Sequence, residues 1–310
     1  MLFSVVIPAY KSLFLKKCIA SILAQTYKEF ELVVVNDASP ENLDDIINGF
    51  ADPRIRYYKN EKNCGAIDVV DNWNKCLGYA KGEYLICMGD DDMLAPNALE
   101  EYYRLIVKYP SVDLFHSRTK RIDEEDAFIE LTDARPEYES VLSMIWYRMA
   151  YRQQYVGDYL FKVKKLKAIG GFFKLPYAWA SDDITAYLVA AENGCVHTND
   201  PTFCYRVNRS TITQSGNVEI KMKALLATDS WYYDFVSTYC PHSEIDSYLK
   251  IMILKGLKKY SIKQKSRLIS NDMNKSFLKW FQWFFKRKKY EVSIPILFYS
   301  AFMYLKIKNR

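Results

Sequence analysis

The sequence predicts an α/β fold: a doubly wound, mostly parallel sheet followed by a helical C-terminal appendage. Up to about residue 110, short apolar runs alternate with segments whose apolar residues recur at helical spacing. Strands that are apolar throughout are typical of a parallel sheet covered by helices on both faces. Beyond residue 217 the composition shifts to Lys with Leu, Ile and aromatic residues at helical periods. This second pattern predicts helices without strands.

The predicted elements follow one another in a regular order. Strands are expected over 3–7, 30–35, 55–58 and 84–88, and helices over 13–24, around 46–47, over 69–80 and over 97–109. From residue 112 to 210 the pattern is mixed. Strand candidates lie at 112–116 and 155–163, and helix candidates lie at 141–151 and 181–193.

Composition and charge exclude several classes of protein. Half of the 310 residues are apolar, so the chain is not a disordered protein. The seven cysteines are an odd number and form no C-x-x-C pair, which favours a reducing, cytoplasmic compartment and free buried thiols. The N-terminus lacks the pattern of a signal peptide, and no apolar window is long enough to span a membrane. Basic residues cluster locally without a recognised module, so nucleic acid is not an expected partner.

Three consecutive carboxylates, Asp90, Asp91 and Asp92, directly follow the apolar strand at 84–88. Adjacent like charges repel one another, so they need solvent, hydrogen-bond donors or a cation. One interpretation is a solvated turn that caps the next helix; the other is a divalent-metal site. The loops at 8–10 and 36–39 end two further strands, and ligands of parallel sheets bind at the carboxyl edge. We therefore expect the three loops to meet in a ligand site.

The ordered set of motifs resembles the family 2 inverting glycosyltransferases of the GT-A fold, a Rossmann-like nucleotide-sugar-binding fold. The resemblance covers roughly residues 1–210 and rests on Val5–Tyr10, Leu32–Ser39, Asn63–Gly65, Gly82–Leu85, Asp90–Asp92, Gly170–Phe172 and Ser181–Asp183. It implies a catalytic domain at 1–215, with a nucleotide-sugar-binding half at 1–110 and an acceptor-binding half at 111–215. Residues 216–310 then form a separate helical region that is basic and aromatic.

The resemblance also implies roles for individual residues on the donor side. Pro8, Ala9 and Tyr10 would line the nucleoside pocket. Asp37 would hydrogen-bond the base, although Asp37–Ser39 as structure alone is an Asx-type turn. Asn63, Gly65 and Asp68 would lie near the nucleotide, although as structure alone they form a turn with a helix cap.

The acidic triplet would hold Mn²⁺ or Mg²⁺, because hard divalent cations prefer oxygen ligands. Asp91 would be the principal ligand, assisted by Asp92 and by Asp90, which would also contact the donor. Gly89 stands where many family members have Asp. Arg206 and Arg209 are further candidates for contact with the donor.

Asp182 and Asp183 resemble the carboxylate pair of the family at the start of a helix. There, Asp183 would act as the general base that accepts the proton of the acceptor hydroxyl. Asp182 would contact the acceptor and is the alternative candidate for the base. The alternative is an ordinary helix N-terminus stabilised by Ser181 and the helix dipole.

Residues 275–305 interleave aromatic and basic side chains, a pattern that favours binding to an anionic membrane surface. The alternative is a helical appendage that packs its aromatics on the catalytic domain. The expected activity is metal-dependent, inverting transfer of a sugar from UDP-hexose or UDP-hexosamine to a glycan acceptor, lipid-linked, at the inner face of the cytoplasmic membrane. Alternatives are a retaining glycosyltransferase, a nucleotidyltransferase, or a membrane-associated binding protein without catalysis.

Overall fold

A ten-stranded sheet organises the first part of the chain. The computed structural model describes residues 3–208 and 216–308, apart from the side chain of residue 307. The strands are β1 (Phe3–Ala9), β2 (Phe30–Asn36), β3 (Ile55–Lys59), β4 (Tyr84–Cys87), β5 (Met93–Leu94), β6 (Leu114–Ile122), β7 (Phe128–Leu131), β8 (Tyr138–Glu139), β9 (Tyr159–Lys162) and β10 (Cys195–Arg206). The main path of the sheet runs β3-β2-β1-β4-β9-β6-β10-β5.

The first four strands of that path are parallel to one another, and β6 and β10 form a further parallel pair. Strands β5, β7, β8 and β9 pair antiparallel with their neighbours. The predicted α/β class and mostly parallel sheet are confirmed. The parallel strands β1, β2 and β4 are almost entirely buried, as their continuous apolar runs predict.

The helices of this part lie between the strands in sequence. They are α1 (Leu15–Leu23), α2 (Leu43–Asn48), α3 (Val69–Tyr79), α4 (Ala98–Lys108), α5 (Val141–Met149), α6 (Val163–Ala168) and α7 (Ser181–Ala190). Residues from α1, α2 and α4 join the buried side chains of β1, β2 and β4 in one hydrophobic core. This core fixes the sheet edge from which the candidate site projects.

Several predicted boundaries are wrong. Strand β1 does not stop at Pro8, because Pro8 pairs with Val35 and the strand continues to Ala9. The strand expected over 112–116 is β6, which continues to Ile122. The strand expected over 155–163 is shorter: a 3₁₀ turn at Val156–Asp158 precedes β9, and α6 begins at Val163. In β1 and β6, long-range pairing extends the strand beyond its local apolar pattern.

The chain divides into two units, Met1–Gln214 and Ser215–Arg310. The second unit consists of α8 (Val218–Thr238), α9 (Glu244–Met273), α10 (Lys279–Lys286) and α11 (Ile294–Lys308). Helix α9 packs against the other three helices. Trp283 of α10 is buried and donates its indole N–H to Asp272 at 3.1 Å, which anchors α10 to the end of α9. Within the described residues, none of the helices is both long and apolar enough to cross a bilayer.

Candidate active site

The loops that end β1, β2 and β4 meet at one edge of the sheet, as expected from the sequence. Asp90 Oδ2 accepts hydrogen bonds from the backbone N–H groups of Tyr10 and Lys11, both at 2.7 Å. Ser39 Oγ donates to the carbonyl oxygen of Tyr10 at 2.5 Å. The loop that follows β1 is therefore held between the loop that follows β2 and the loop that carries Asp90–Asp92, which we call the acidic loop. Pro8 is partly buried, Ala9 is buried, and the side chain of Tyr10 is exposed at this edge.

Asp37 joins this edge to the loop before α3. Its carboxylate is buried and accepts hydrogen bonds from Asn60 Nδ2 at 2.7 Å and from the N–H of Cys64 at 3.0 Å. In that loop Asn63 Oδ1 accepts the N–H of Gly65, whose φ of +78° suits glycine. Asp68 pairs with Lys174 at 3.0 Å. Asp37 thus positions the loop that carries Asn63 and Gly65.

The acidic loop is fixed by residues at the end of β10. Asp91 Oδ2 accepts a hydrogen bond from Asn208 Nδ2 at 2.6 Å, and Asp92 Oδ1 accepts the N–H of Arg206 at 2.9 Å. Burial and the charge of Asp91 raise the pKa of Asp90 to about 6. The same two causes raise the pKa of Asp92 well above its usual range. The loop therefore concentrates negative charge that is poorly solvated.

Gly89 leaves room for the remaining carboxylate oxygens of this loop. A Cβ atom at Gly89 would lie 2.8 Å from Asp91 Oδ1 and 3.1 Å from Asp92 Oδ2. Both oxygens, which the bonds from Asn208 and Arg206 do not use, therefore face the same small space. Among residues 3–208 and 216–308, no group of three His, Cys, Asp or Glu side chains is arranged to hold a metal ion. Two carboxylate oxygens still fit a magnesium-type site, in which substrate phosphates and water complete the coordination shell.

Arg206 is fully buried behind the acidic loop. Its guanidinium donates to the carbonyl oxygens of Asp91 and Asp123, both at 2.8 Å, and pairs with Asp126 at 2.5 Å. Arg206 lies beside the acidic loop, and these bonds occupy its guanidinium with protein groups. Arg209 lies outside the described residues.

Asp182 and Asp183 begin α7, as the resemblance implies, but their surroundings differ. Asp183 is buried, and its two carboxylate oxygens accept hydrogen bonds from Arg148 Nε at 2.8 Å and Gln154 Nε2 at 2.5 Å. Asp182 is partly exposed, and one of its oxygens accepts the N–H of Asp183 at 2.9 Å. Desolvation by the surrounding protein and the charge of Asp183 raise the pKa of Asp182 to about 7.

Tyr155 and Tyr205 stack on each other, with ring centroids 3.9 Å apart and nearly parallel planes. Burial raises the pKa of Tyr205 to about 12, and the charges of Asp92, Asp91 and Asp182 contribute to the increase. The Tyr205 hydroxyl is therefore subject to the charge of Asp182 as well as to the charges of the acidic loop.

Sequence reasoning did not identify Arg148, Gln154 or the stacked tyrosines as parts of the site. Arg148 looks like a surface residue of an amphipathic helix, and Gln154 lies between the helix expected over 141–151 and the strand expected over 155–163. Their convergence on Asp183 depends on the packing of α5 and the turn before β9 beside α7. A local pattern does not carry that information.

Comparisons with known proteins bear on the family and the fold. The family model described as "Glycosyl transferase family 2" matches residues 4–161. The glycosyltransferase GlyG of Streptococcus pneumoniae is 33% identical over 128 residues, which are 40% of this chain and 41% of that protein. The matched segments span about two-fifths or less of the first curated relatives.

Two solved structures have a similar fold. S. aureus TarS 1-349 in complex with UDP-GlcNAc superposes with a TM-score of 0.64 at 15% identity, over 87% of this chain and 81% of that one. The mannosyltransferase PcManGT from Pyrobaculum calidifontis, in complex with GDP-Man and Mn²⁺, has a TM-score of 0.55 at 15% identity, over 98% of this chain and 86% of that one. The sheet therefore has the GT-A architecture. Because the family model spans half of the chain and includes the loops that form this sheet edge, the chain belongs to glycosyltransferase family 2.

Proposed function

We propose that the protein transfers a sugar, with inversion at the anomeric carbon, from a nucleotide diphosphate sugar to a hydroxyl of a glycan acceptor. The observation that carries the proposal is the meeting of the acidic loop with the loops of Tyr10 and Asp37 at one edge of the sheet. The Asp182–Asp183 pair at the start of α7 is the second group of carboxylates. Inverting transfer needs both groups of residues. One side of the pocket must hold the diphosphate, and the other must take a proton from the acceptor.

The donor side is built from the first three loops. In this proposal Pro8, Ala9 and Tyr10 line the nucleoside pocket and Asp37 contacts the base. Asn63, Gly65 and Asp68 border the nucleotide. Asp37 supports their loop by accepting the N–H of Cys64. Arg206 supports the acidic loop from behind. UDP-hexose or UDP-hexosamine is the proposed donor, which the bound UDP-GlcNAc of TarS supports.

The acidic loop would hold a divalent cation, Mn²⁺ or Mg²⁺. Asp91 Oδ1 and Asp92 Oδ2 face the same space beside Gly89, and the Mn²⁺ of PcManGT supports this assignment. The chemistry that such a cation supplies when bound is stabilisation of the negative charge on the diphosphate leaving group. The protein contributes the fixed positions of Asp91 and Asp92, through Asn208 and Arg206.

The acceptor side is built around α7. The Asp182–Asp183 pair supplies the carboxylate that receives the proton of the acceptor hydroxyl, and the ring of Tyr205 offers a flat apolar surface beside it. Aromatic faces of this kind suit the apolar face of a sugar ring. We propose that the acceptor is a lipid-linked glycan, met at the inner face of the cytoplasmic membrane.

The C-terminal unit supports the membrane part of the proposal. Its aromatic face, as we define it, consists of exposed apolar side chains at helical spacing on α10 and α11: Leu278, Phe281, Phe285, Ile294, Phe298, Phe302 and Leu305. Trp280 connects the two helices, since its ring lies 6.4 Å from that of Phe298. Basic residues at 286–289, 306 and 308 flank the face. Exposed aromatics beside lysines suit the interface of an anionic bilayer.

The first experiment is calorimetric binding of UDP, GDP, dTDP and CDP, each with and without Mn²⁺, to the wild-type protein and to Asp91→Ala. We expect one nucleotide to bind with the metal and to lose affinity in the variant. The matching nucleotide sugar is then offered with glycan acceptors, and NMR of the product reports the anomeric configuration. Absence of nucleotide binding would contradict the proposal, and a retained configuration would contradict inversion.

A further inference from the structure

The two carboxylates of α7 differ in their freedom to accept a proton. Asp183 is 2% exposed. Both of its oxygens already accept hydrogen bonds, one from the Arg148 guanidinium and one from the Gln154 amide. Protein donors therefore occupy both oxygens of Asp183, and neither is open to the hydroxyl of an acceptor.

Arg148, which binds Asp183, is itself held by a chain of further contacts. Arg148 Nη1 donates to the carbonyl oxygen of Arg152 at 2.9 Å. Arg152 in turn pairs with the buried Glu139 at 2.6 Å, and Glu139 faces His197 at 3.2 Å. The clamp on Asp183 thus belongs to a buried network that joins α5 to β8 and β10. Such a network fixes the position of one carboxylate more firmly than local helix geometry does.

Asp182 has the opposite surroundings. Its carboxylate accepts the N–H of Asp183, and no side chain among the described residues donates a hydrogen bond to it. Asp182 is also partly exposed, whereas Asp183 is buried. The charged and titratable groups that face Asp182 are Asp183, Arg148, Asp158 of the turn before β9, and Tyr205 of β10.

We propose that Asp182, rather than Asp183, is the general base, and that Arg148 and Gln154 are positioning residues that act through Asp183. This inference rests on the proposed transfer reaction. As the acceptor oxygen forms its bond to the anomeric carbon, its proton passes to the carboxylate of Asp182. The bond from the anomeric carbon to the diphosphate breaks at the same time, and its electron pair leaves with the diphosphate.

Desolvation and the negative charge of Asp183 together favour protonation of Asp182 against the opposing charge of Arg148. The resulting pKa of about 7 suits a base that works near neutral pH. The base must be ionised before it can accept a proton, so the rate should fall as the pH drops below about 7. Loss of the Asp183 charge should lower the pKa of Asp182. The fall in rate at low pH, which is the acid limb of the pH profile, should then move to lower pH.

Two measurements test the assignment. The first is a pH titration followed by NMR of protein labelled with ¹³C at the Asp carboxyl carbons. We expect one resonance that titrates near pH 7, is missing in Asp182→Asn, and shifts its midpoint to lower pH in Asp183→Asn. If Asp182 titrated near pH 4, or if the resonance near pH 7 were missing in Asp183→Asn, the proposal would fail. This readout needs no substrate, so it remains decisive if the proposed transfer reaction is wrong.

The second measurement is release of the nucleotide diphosphate from the donor that the calorimetric panel identifies, as a function of pH. Asp182→Asn should lose at least about a hundredfold in kcat, the usual scale of general-base catalysis, with little change in donor KM. Asp183→Asn and Gln154→Met should keep more activity and shift the acid limb. Gln264→Met on α9 controls for the Gln to Met change. An Asp183→Asn variant that is less active than Asp182→Asn, with the acid limb of Asp182→Asn unchanged, would overturn the assignment.

Discussion

Asn208 donates a hydrogen bond to Asp91 Oδ2 at 2.6 Å, across 117 residues of sequence. Asn208 is buried at the end of β10, and Asp91 lies in the loop after β4. The bond occupies one oxygen of Asp91 and directs the other toward the space beside Gly89. The amide is neutral, so it orients the carboxylate without neutralising its charge.

Asn208→Ala should weaken nucleotide binding in the presence of Mn²⁺ by roughly tenfold, because hydrogen bonds to charged groups contribute about 1.5 kcal/mol or more. Calorimetry with the nucleotide that binds the wild type is the measurement. Asn97→Ala is the control, since the Asn97 side chain caps no helix N–H. Unchanged affinity in Asn208→Ala would show that Asp91 needs no such support.

Gly89→Ala should reduce metal-dependent nucleotide binding several-fold, because the new methyl group would lie 2.8 Å from Asp91 Oδ1. The carboxylate end can move, so the thermal midpoint should change little. Gly78→Ala within α3 is the matched control, since an added Cβ there meets nothing within 4 Å. We expect that control to bind nucleotide normally and to gain about 0.5–1 kcal/mol of stability. Equal binding by both variants would argue against the carboxylate cluster as the metal site.

Asp158→Asn should become more stable relative to the wild type as the pH rises. Burial raises the pKa of Asp158 to about 8, against the opposing charge of Arg135. The folded state therefore keeps a proton that the unfolded state loses near pH 4. Wild-type stability should fall between those two pH values, and the variant lacks this dependence.

The measurement is the difference in free energy of unfolding between Asp158→Asn and the wild type, from urea titrations at pH 5 and pH 7.5. It should grow by at most about 3 kcal/mol over this range. Asp200→Asn, at an exposed position in β10, serves as the control. A difference that stays constant with pH would mean that Asp158 is ionised in the folded protein.

Phe298→Ser combined with Phe302→Ser should weaken binding to vesicles that contain phosphatidylglycerol by about tenfold or more. The two side chains are 66% and 60% exposed on α11, and each would bury apolar area in the bilayer interface. Sedimentation with vesicles measures the effect, and added salt should weaken binding of the wild type. Tyr233→Ser on α8, where the ring is 61% exposed, is the control. If the double variant bound vesicles as tightly as the wild type does, the aromatic face would be excluded as the membrane-binding surface.

The sequence predicts β1, β2 and β4 well because these strands are almost entirely buried, and their burial shows as apolar runs such as Val33–Val35 and Leu85–Cys87. It does not predict β10, whose central residues 199–201 are polar or Pro and exposed. The site is predictable where the chain itself ends a strand, as at Asp37 and Asp90. Arg148 and Gln154 could not be predicted in the same way, because their partner Asp183 lies about 30 residues or more away in sequence. The resemblance favours Asp183 as the base, whereas hydrogen-bond accessibility, a property of the folded chain, favours Asp182.

The carboxylates of the acidic loop each depend on a distant part of the chain. Asp90 is bonded to Tyr10, 80 residues earlier, while Asp91 and Asp92 are bonded to Asn208 and Arg206, more than 110 residues later. Contacts of such separation form only after long loops have closed. During synthesis, a nascent chain that stops before β10 can pair β1 to β4 but cannot complete the acidic loop. We therefore expect nucleotide affinity to appear late in folding, once residues 203–208 have joined the sheet.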